Sequence, residues 1–118
     1  MSDTYIEESE RYALFCRFRE FTEKVLKRYA GPAPKNLMSV LEEVYERMRP
    51  LRAIDGESDK DKLIRFVKEF IEEIDRFEHE LTLKKLESRG RNKELMSDME
   101  CLAWLGAGFA GAFVPGLF

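Results

Sequence analysis

Large hydrophobic side chains recur along three stretches of this chain at alternating spacings of four and three residues. At this spacing the side chains lie on one face of an α-helix, so each stretch predicts a helix with one buried face. The three stripes consist of Leu14, Phe18, Phe21 and Val25, of Leu37, Leu41, Val44 and Met48, and of Leu63, Val67, Phe70, Ile74, Phe77 and Leu81. They predict helices near residues 4–29, 34–48 and 59–88.

Helix-breaking residues lie where the predicted helices should end. The Gly-Pro-Ala-Pro segment at 31–34 ends the first helix, since glycine suits the position after a helix and proline cannot continue one. Pro50 ends the second helix in the same way. Asp55 and Gly56 predict a turn, and Ser58 is placed to cap the third helix.

A fourth helix is predicted near residues 92–114, with Asn92 as its cap and Pro115 at its end. No stretch of the chain shows the alternation of β-branched residues that is typical of a strand. The connections between the four helices are short or of medium length, which favours a single all-α domain built as an antiparallel bundle of about four helices. The C-terminal helix of this bundle is apolar and rich in glycine and alanine.

The end of the chain differs sharply in charge from the rest. All 20 Lys and Arg and all 23 Asp and Glu precede position 101, and residues 101–118 carry no charge. If this segment is helical, its bulky side chains share one face, and Ala103, Ala107 and Gly111 share another at a spacing that lets two helices approach closely. The bulky face consists of Leu102, Leu105, Phe109 and Phe113, and Trp104 is a further bulky residue of the segment.

An apolar segment of this size needs a covering surface, because exposed apolar patches drive association. We therefore expect a non-enzymatic helical protein that self-associates, or docks a protein partner, through the bulky residues of its C-terminal helix. A homo-oligomer is the simplest form of this arrangement. No cofactor is expected under this hypothesis.

A second hypothesis makes residues 101–118 a membrane anchor. Residues 101–114 would form a helix of about 21 Å, which is shorter than the ~30 Å hydrocarbon core of a bilayer. Pro115 and Gly116 would interrupt its continuation. The pattern therefore favours a helix packed against protein, and keeps membrane attachment as the alternative.

Charge and cysteine content narrow the function classes further. The formal net charge is −3, which argues against nucleic-acid binding, because that affinity comes mainly from neutralising phosphates. Cys16 and Cys101 lack the spacing of a disulfide framework or a metal site, and are expected to be small buried side chains in a reducing compartment. The acidic first ten residues contain no apolar stretch, so no secretory signal is expected and the predicted location is the cytoplasm.

Four acidic residues form the strongest candidate for catalytic chemistry. Glu43 and Glu46 are spaced ExxE on the second predicted helix, and Glu72 and Asp75 are spaced ExxD on the third. Over residues 43–75 this pattern resembles the MazG-like all-α nucleoside triphosphate pyrophosphatases. The resemblance implies that the four carboxylates face inward, hold Mg²⁺ and position a nucleoside triphosphate for hydrolysis.

The hydrophobic stripes make a competing prediction about the same carboxylates. If the stripes face the core, the four acidic residues point away from it and form a solvated face. His79, the only histidine, lies between Glu78 and Glu80 and is likewise expected at the surface. The sequence therefore leaves two functional alternatives beside the interaction hypothesis: a Mg²⁺-dependent pyrophosphatase and a membrane-attached protein.

Overall fold

A computed structural model describes residues 4–88 and 93–112 of the chain. These residues form four helices and no β-strand, so the predicted all-α helical bundle is confirmed. The first helix, α1, runs without interruption through Glu8–Phe21, the π-helical turn Thr22–Leu26 and the last turn Lys27–Ala30. The others are α2 (Leu37–Arg47), α3 (Asp59–Ser88) and α4 (Lys93–Ala112).

The start of α1 differs from the prediction near residue 4. Residues 4–6 are not helical and pair with the connection between α2 and α3. The Ile6 N–H donates to the Leu51 carbonyl at 2.8 Å, and the Ala53 N–H donates to the Thr4 carbonyl at 2.8 Å. Because these backbone groups are used in an antiparallel pairing, the helix begins only after them.

In the C-terminal half of α1 the buried face is shifted from the centre of the predicted stripe, although Phe21 and Val25 still pack against the core. Phe21 and Val25 are only half-buried, whereas Thr22 and Leu26 are fully buried. The cause is the π-helical turn, in which the wider backbone ring inserts one residue and rotates the following side chains. Local periodicity assumes a regular helix and cannot anticipate this rotation.

Helix α2 follows its predicted stripe closely. Leu37, Leu41, Val44 and Met48 are all buried, which confirms the predicted face. The helix begins at Leu37, three residues later than predicted. Gly31 ends α1 with a positive φ of 83°, a backbone conformation that glycine adopts without strain.

The predicted cap of α3 and most of its predicted stripe are also confirmed. The Asp61 N–H donates to Ser58 Oγ at 3.1 Å. Leu63 is half-buried, and the other five residues of the stripe are buried. The buried face of α3 is wider than the predicted stripe. Phe66 is fully buried beside the stripe, and Glu73, also outside it, is only 6% exposed.

The core is built from aromatic side chains of α1, α2 and α3. The ring centroids of Phe18 and Phe70 lie 4.5 Å apart, and those of Phe15 and Tyr45 lie 4.7 Å apart in a stacked arrangement. Phe66 joins the same cluster, with its centroid 5.8 Å from that of Phe70. Helix α4 contacts all three other helices, so it completes the enclosure of this core.

Candidate functional site

The four acidic residues of the ExxE and ExxD pattern lie on solvent-facing sides of their helices. Glu43 and Glu46 are exposed on α2, and Glu72 and Asp75 are exposed on α3. Among the described residues no group of three or more His, Cys, Asp and Glu side chains is placed to hold a metal ion. The geometry therefore offers no Mg²⁺ site at these four carboxylates within residues 4–88 and 93–112.

A different carboxylate of α3, Glu73, is buried between two arginines. Arg76 Nη2 donates to Glu73 Oε1 at 2.9 Å, and Arg47 Nε lies 3.7 Å from Glu73 Oε2. Arg47 also pairs with the exposed Glu80 and covers the ring of Phe77. Since Glu73 is compensated on both sides, this cluster joins α2 to α3 rather than forming an acidic site.

The bulky residues of the C-terminal helix pack against the same chain. Leu102 and Leu105 have no exposed surface, and Trp104 is 9% exposed. The side chain of Phe109 and the whole of Phe113, the other two predicted interaction residues, lie outside the described residues. The bulky face of α4 is thus covered by its own bundle over the part that the structure describes.

A polar anchor fixes α4 to the loop that follows α1. Trp104 Nε1 donates to the Gly31 carbonyl at 3.2 Å, and the Cys101 thiol donates to Asn36 Oδ1 at 2.9 Å. Asn36 Nδ2 in turn donates to Asp98 Oδ1 at 2.9 Å. Burial raises the pKa of Cys101 to about 11, and Asp98 and Glu100 add to the effect. The thiol therefore stays protonated and serves as a hydrogen-bond donor at neutral pH.

One glycine sets the distance between α4 and α1. A Cβ atom on Gly108 would lie 3.0 Å from Leu26 Cδ2 and 3.4 Å from Ala30 Cβ. Leu26 reaches this position because it ends the π-helical turn. The absent side chain of Gly108 and the irregular turn of α1 together allow the two helices to pack closely.

The opposite side of α4 is exposed and carries small residues. Ala103, Gly106 and Ala107 are all exposed, and Met96, two turns earlier, is 46% exposed. We call Met96, Ala103, Gly106 and Ala107 the outward face of α4. A Cβ atom built on Gly106 meets no other atom within 4 Å, so nothing in the described part of the chain covers this face there.

A buried arginine that the sequence did not indicate ties α1 to α2. Arg11 is 8% exposed, and its Nη2 donates to the carbonyls of Tyr45 and Met48 at 2.9 and 3.1 Å. The Tyr45 hydroxyl donates to Glu8 Oε1 at 2.6 Å, and this hydrogen bond lowers the pKa of Glu8. Arg11 adds a donor to carbonyls at the end of α2, where the last turn of a helix lacks the usual i+4 N–H partners; the Tyr45 carbonyl also accepts the Met48 N–H at 3.2 Å.

The remaining candidate side chains show no catalytic arrangement. His79 is exposed. Cys16 is half-buried, Cys101 is buried, and both are free thiols. These three residues lie on α3, α1 and α4 respectively.

No described helix is both long enough and apolar enough to cross a membrane. The end of the apolar segment, residues 113–118, lies outside the described residues. No protein-family model matches the chain, and neither a curated protein nor a solved structure is significantly similar to it.

Proposed function

We propose that this protein acts by association, and that two copies pair through the outward face of α4. The observation that carries the proposal is the division of α4 into two faces. Leu102 and Leu105 are fully buried in the bundle, whereas Ala103, Gly106 and Ala107 are exposed. Partner binding is thus assigned to the small residues, since the described bulky residues Leu102, Trp104 and Leu105 already pack in their own chain.

The composition of this face is unusual for a helix that meets only water. Solvent-facing sides of helices are normally charged or polar, as on α3, where Lys68, Glu72 and Asp75 are exposed. From position 101 to 112, α4 has no charged residue on any side. Glycine also weakens a free helix by about 1 kcal/mol relative to alanine. A close packing partner would account for glycine and alanine at exposed positions.

A second copy of the same chain fits this face for two reasons. Ala103 and Ala107 are four residues apart, the spacing at which small side chains let two helix backbones approach. In an antiparallel pairing centred between them, the exposed Glu100 of each copy lies at the opposite end of the contact. A two-fold arrangement therefore brings the small residues of the two copies together and keeps their Glu100 side chains apart.

The test places a long charged side chain on the outward face without touching the core. Ala103→Arg and Ala107→Arg introduce a guanidinium at exposed helical positions. Ala13→Arg is the matched control, because Ala13 is an exposed alanine in the middle of α1. Molar mass is measured by sedimentation equilibrium over a range of protein concentrations, and folding is followed by circular dichroism.

We expect the unchanged protein and Ala13→Arg to form dimers, and the two α4 variants to be folded monomers. A wild-type protein that stays monomeric at every accessible concentration would contradict the proposal. So would dimers that survive both α4 substitutions, because the interface would then lie elsewhere.

A further inference from the structure

A cavity of about 510 Å³ lies between the connection that joins α2 to α3 and the N-terminal half of α3. Arg49, Arg52 and Arg65 line it, together with one acidic residue, Glu69. Three arginines around one cavity contrast with the net negative charge of the whole chain. This concentration of arginine points to an anionic ligand.

One of the three arginines is held rigidly. Arg65 Nε and Nη2 donate to the two carboxylate oxygens of Glu57 at 2.6 and 2.8 Å, and Nη2 also donates to the Arg52 carbonyl at 2.7 Å. The pair lowers the pKa of Glu57, so both groups stay ionised. Arg65 thus forms a fixed wall of the cavity, and its charge is already compensated by Glu57.

The other two arginines have no ion-pair partner among the described residues. The side chains of Arg49 and Arg52 are exposed and make no hydrogen bond or ion pair with another residue in the described part of the chain. Glu69 is half-buried, and its charge acts on Arg65. An entering anion would therefore find two guanidinium groups available for bidentate hydrogen bonds.

The backbone that carries these arginines is fixed rather than free. Residues 51–53 pair with residues 4–6 through the two 2.8 Å hydrogen bonds described above. Leu51 is buried in the core, which holds the segment between Arg49 and Arg52 in place. Both arginines therefore extend from a positioned backbone, which reduces the entropy that a ligand must remove on binding.

Part of the cavity wall is apolar. Pro50, Leu51, Ala53 and Ile54 also line it, and the side chain of Ile54 is 51% exposed. A half-exposed isoleucine in the same wall as Arg49 and Arg52 can cover an organic group next to an anion. The volume is within the usual range of about 300–1,000 Å³ for small-molecule sites.

We propose that this cavity binds a small organic molecule that carries a phosphate group. A phosphate monoester has about −1.5 to −2 charge at neutral pH and three acceptor oxygens, which matches two free guanidinium groups better than a singly charged carboxylate does. The apolar wall contacts the organic part. This site is separate from the outward face of α4 and does not depend on dimer formation.

The test uses three probes of graded chemistry with the full chain. Phenyl phosphate carries both the phosphate and an apolar group, inorganic phosphate lacks the apolar group, and benzoate replaces phosphate by carboxylate. Binding is measured by isothermal titration calorimetry, and the site is located from backbone amide NMR shifts of residues 49–54. The cavity variant is Arg49→Gln with Arg52→Gln. The matched control, Arg17→Gln with Arg28→Gln, removes the same charge from two exposed arginines of α1.

We expect saturable binding that is tightest for phenyl phosphate, weakened about tenfold or more in the cavity variant and within about twofold of wild type in the control. Glu69→Gln should tighten binding, because it removes a like charge from the wall. Absence of saturable phenyl phosphate binding, or equal weakening by both double variants, would overturn the proposal. Equal affinity for benzoate would exclude phosphate selectivity, and equal affinity for inorganic phosphate would exclude a role for the apolar wall.

Discussion

Two glycines only two positions apart on α4 have opposite surroundings. Gly106 faces open space, whereas Gly108 faces Leu26 and Ala30 of α1 at contact distance. Both lie inside a helix, so an alanine at either position gains about 1 kcal/mol of helix propensity. A difference between the effects of the two alanines on the free energy of unfolding therefore measures side-chain packing.

In the monomer, where no atom lies near Gly106, we expect Gly106→Ala to raise the free energy of unfolding by about 1 kcal/mol. The comparison is made at a protein concentration at which the chain is monomeric. Gly108→Ala should give no gain or a loss, since its methyl group would lie 3.0 Å from Leu26 Cδ2 and 3.3 Å from Leu26 Cβ. Overpacking of this kind costs about 1–3 kcal/mol. Urea unfolding of both variants at one fixed protein concentration checks the prediction, and equal stabilisation by the two alanines would refute the close contact.

Tyr45 makes stability depend on pH in the alkaline range. Burial and the hydrogen bond to Glu8 raise the pKa of Tyr45 from 10.0 to about 12. The raised pKa means that the unfolded chain loses this proton first as the pH rises. The stabilisation is therefore complete below pH 10 and is lost between pH 10 and about 12.

The corresponding experiment compares wild type with Tyr45→Phe by urea unfolding at a series of pH values. The variant should be less stable at neutral pH by about 1 kcal/mol, because it lacks the hydrogen bond to Glu8. The difference in free energy of unfolding between wild type and Tyr45→Phe should shrink above pH 10. Only wild type loses stability there, because phenylalanine has no proton to lose. A difference in stability that stays constant up to pH 12 would show that Tyr45 titrates normally.

At the scale of the element, α4 is held by contacts that are distant in the sequence. Its bond from Trp104 to Gly31 joins residues 73 positions apart, and its bond from Cys101 to Asn36 joins residues 65 apart. Both bonds end in the loop after α1, and Leu102 and Leu105 of the same helix are buried in the core. The docking of α4 can thus be followed through a single buried thiol, that of Cys101.

We expect iodoacetamide to alkylate Cys16 faster than Cys101 at neutral pH. Cys101 has no exposed surface and a pKa raised to about 11, so it reacts only when α4 opens. Trp104→Phe should speed labelling of Cys101 by roughly fivefold, because the lost hydrogen bond is worth about 1 kcal/mol. Peptide mass spectrometry follows both cysteines, and Cys16 is the internal control. Equal rates at the two cysteines in the unchanged protein would contradict a docked α4.

At the scale of the whole molecule, local pattern predicted the helices and most of the core. The stripes of α2 and α3 proved buried because a regular helix converts sequence spacing directly into a face. The prediction missed the burial of Thr22, which lies where the backbone departs from regularity, at the π-helical turn of α1. It also missed Arg11, whose burial depends on carbonyl partners 34 and 37 positions away.

The candidate sites were less predictable than the fold for a related reason. Sequence spacing separated a bulky face of α4 from a small-residue face, but the choice of which face is covered depends on the shape of the other three helices. The cavity lined by Arg49, Arg52 and Arg65 had no signal in the pattern. It arises because the connection after α2 pairs with residues 4–6 and brings Arg49 and Arg52 beside α3.

The position of α4 in the chain has a consequence for synthesis. A ribosome completes α1, α2 and α3 before it adds Leu102 and Leu105, which have no exposed surface in the finished bundle. Until these residues leave the exit tunnel, the three-helix intermediate keeps an apolar surface that nothing in its own chain covers. After α3 is complete and before Leu102 and Leu105 have left the tunnel, the nascent protein is most open to chaperones and proteases. A product terminated before residue 101 would keep this apolar surface uncovered.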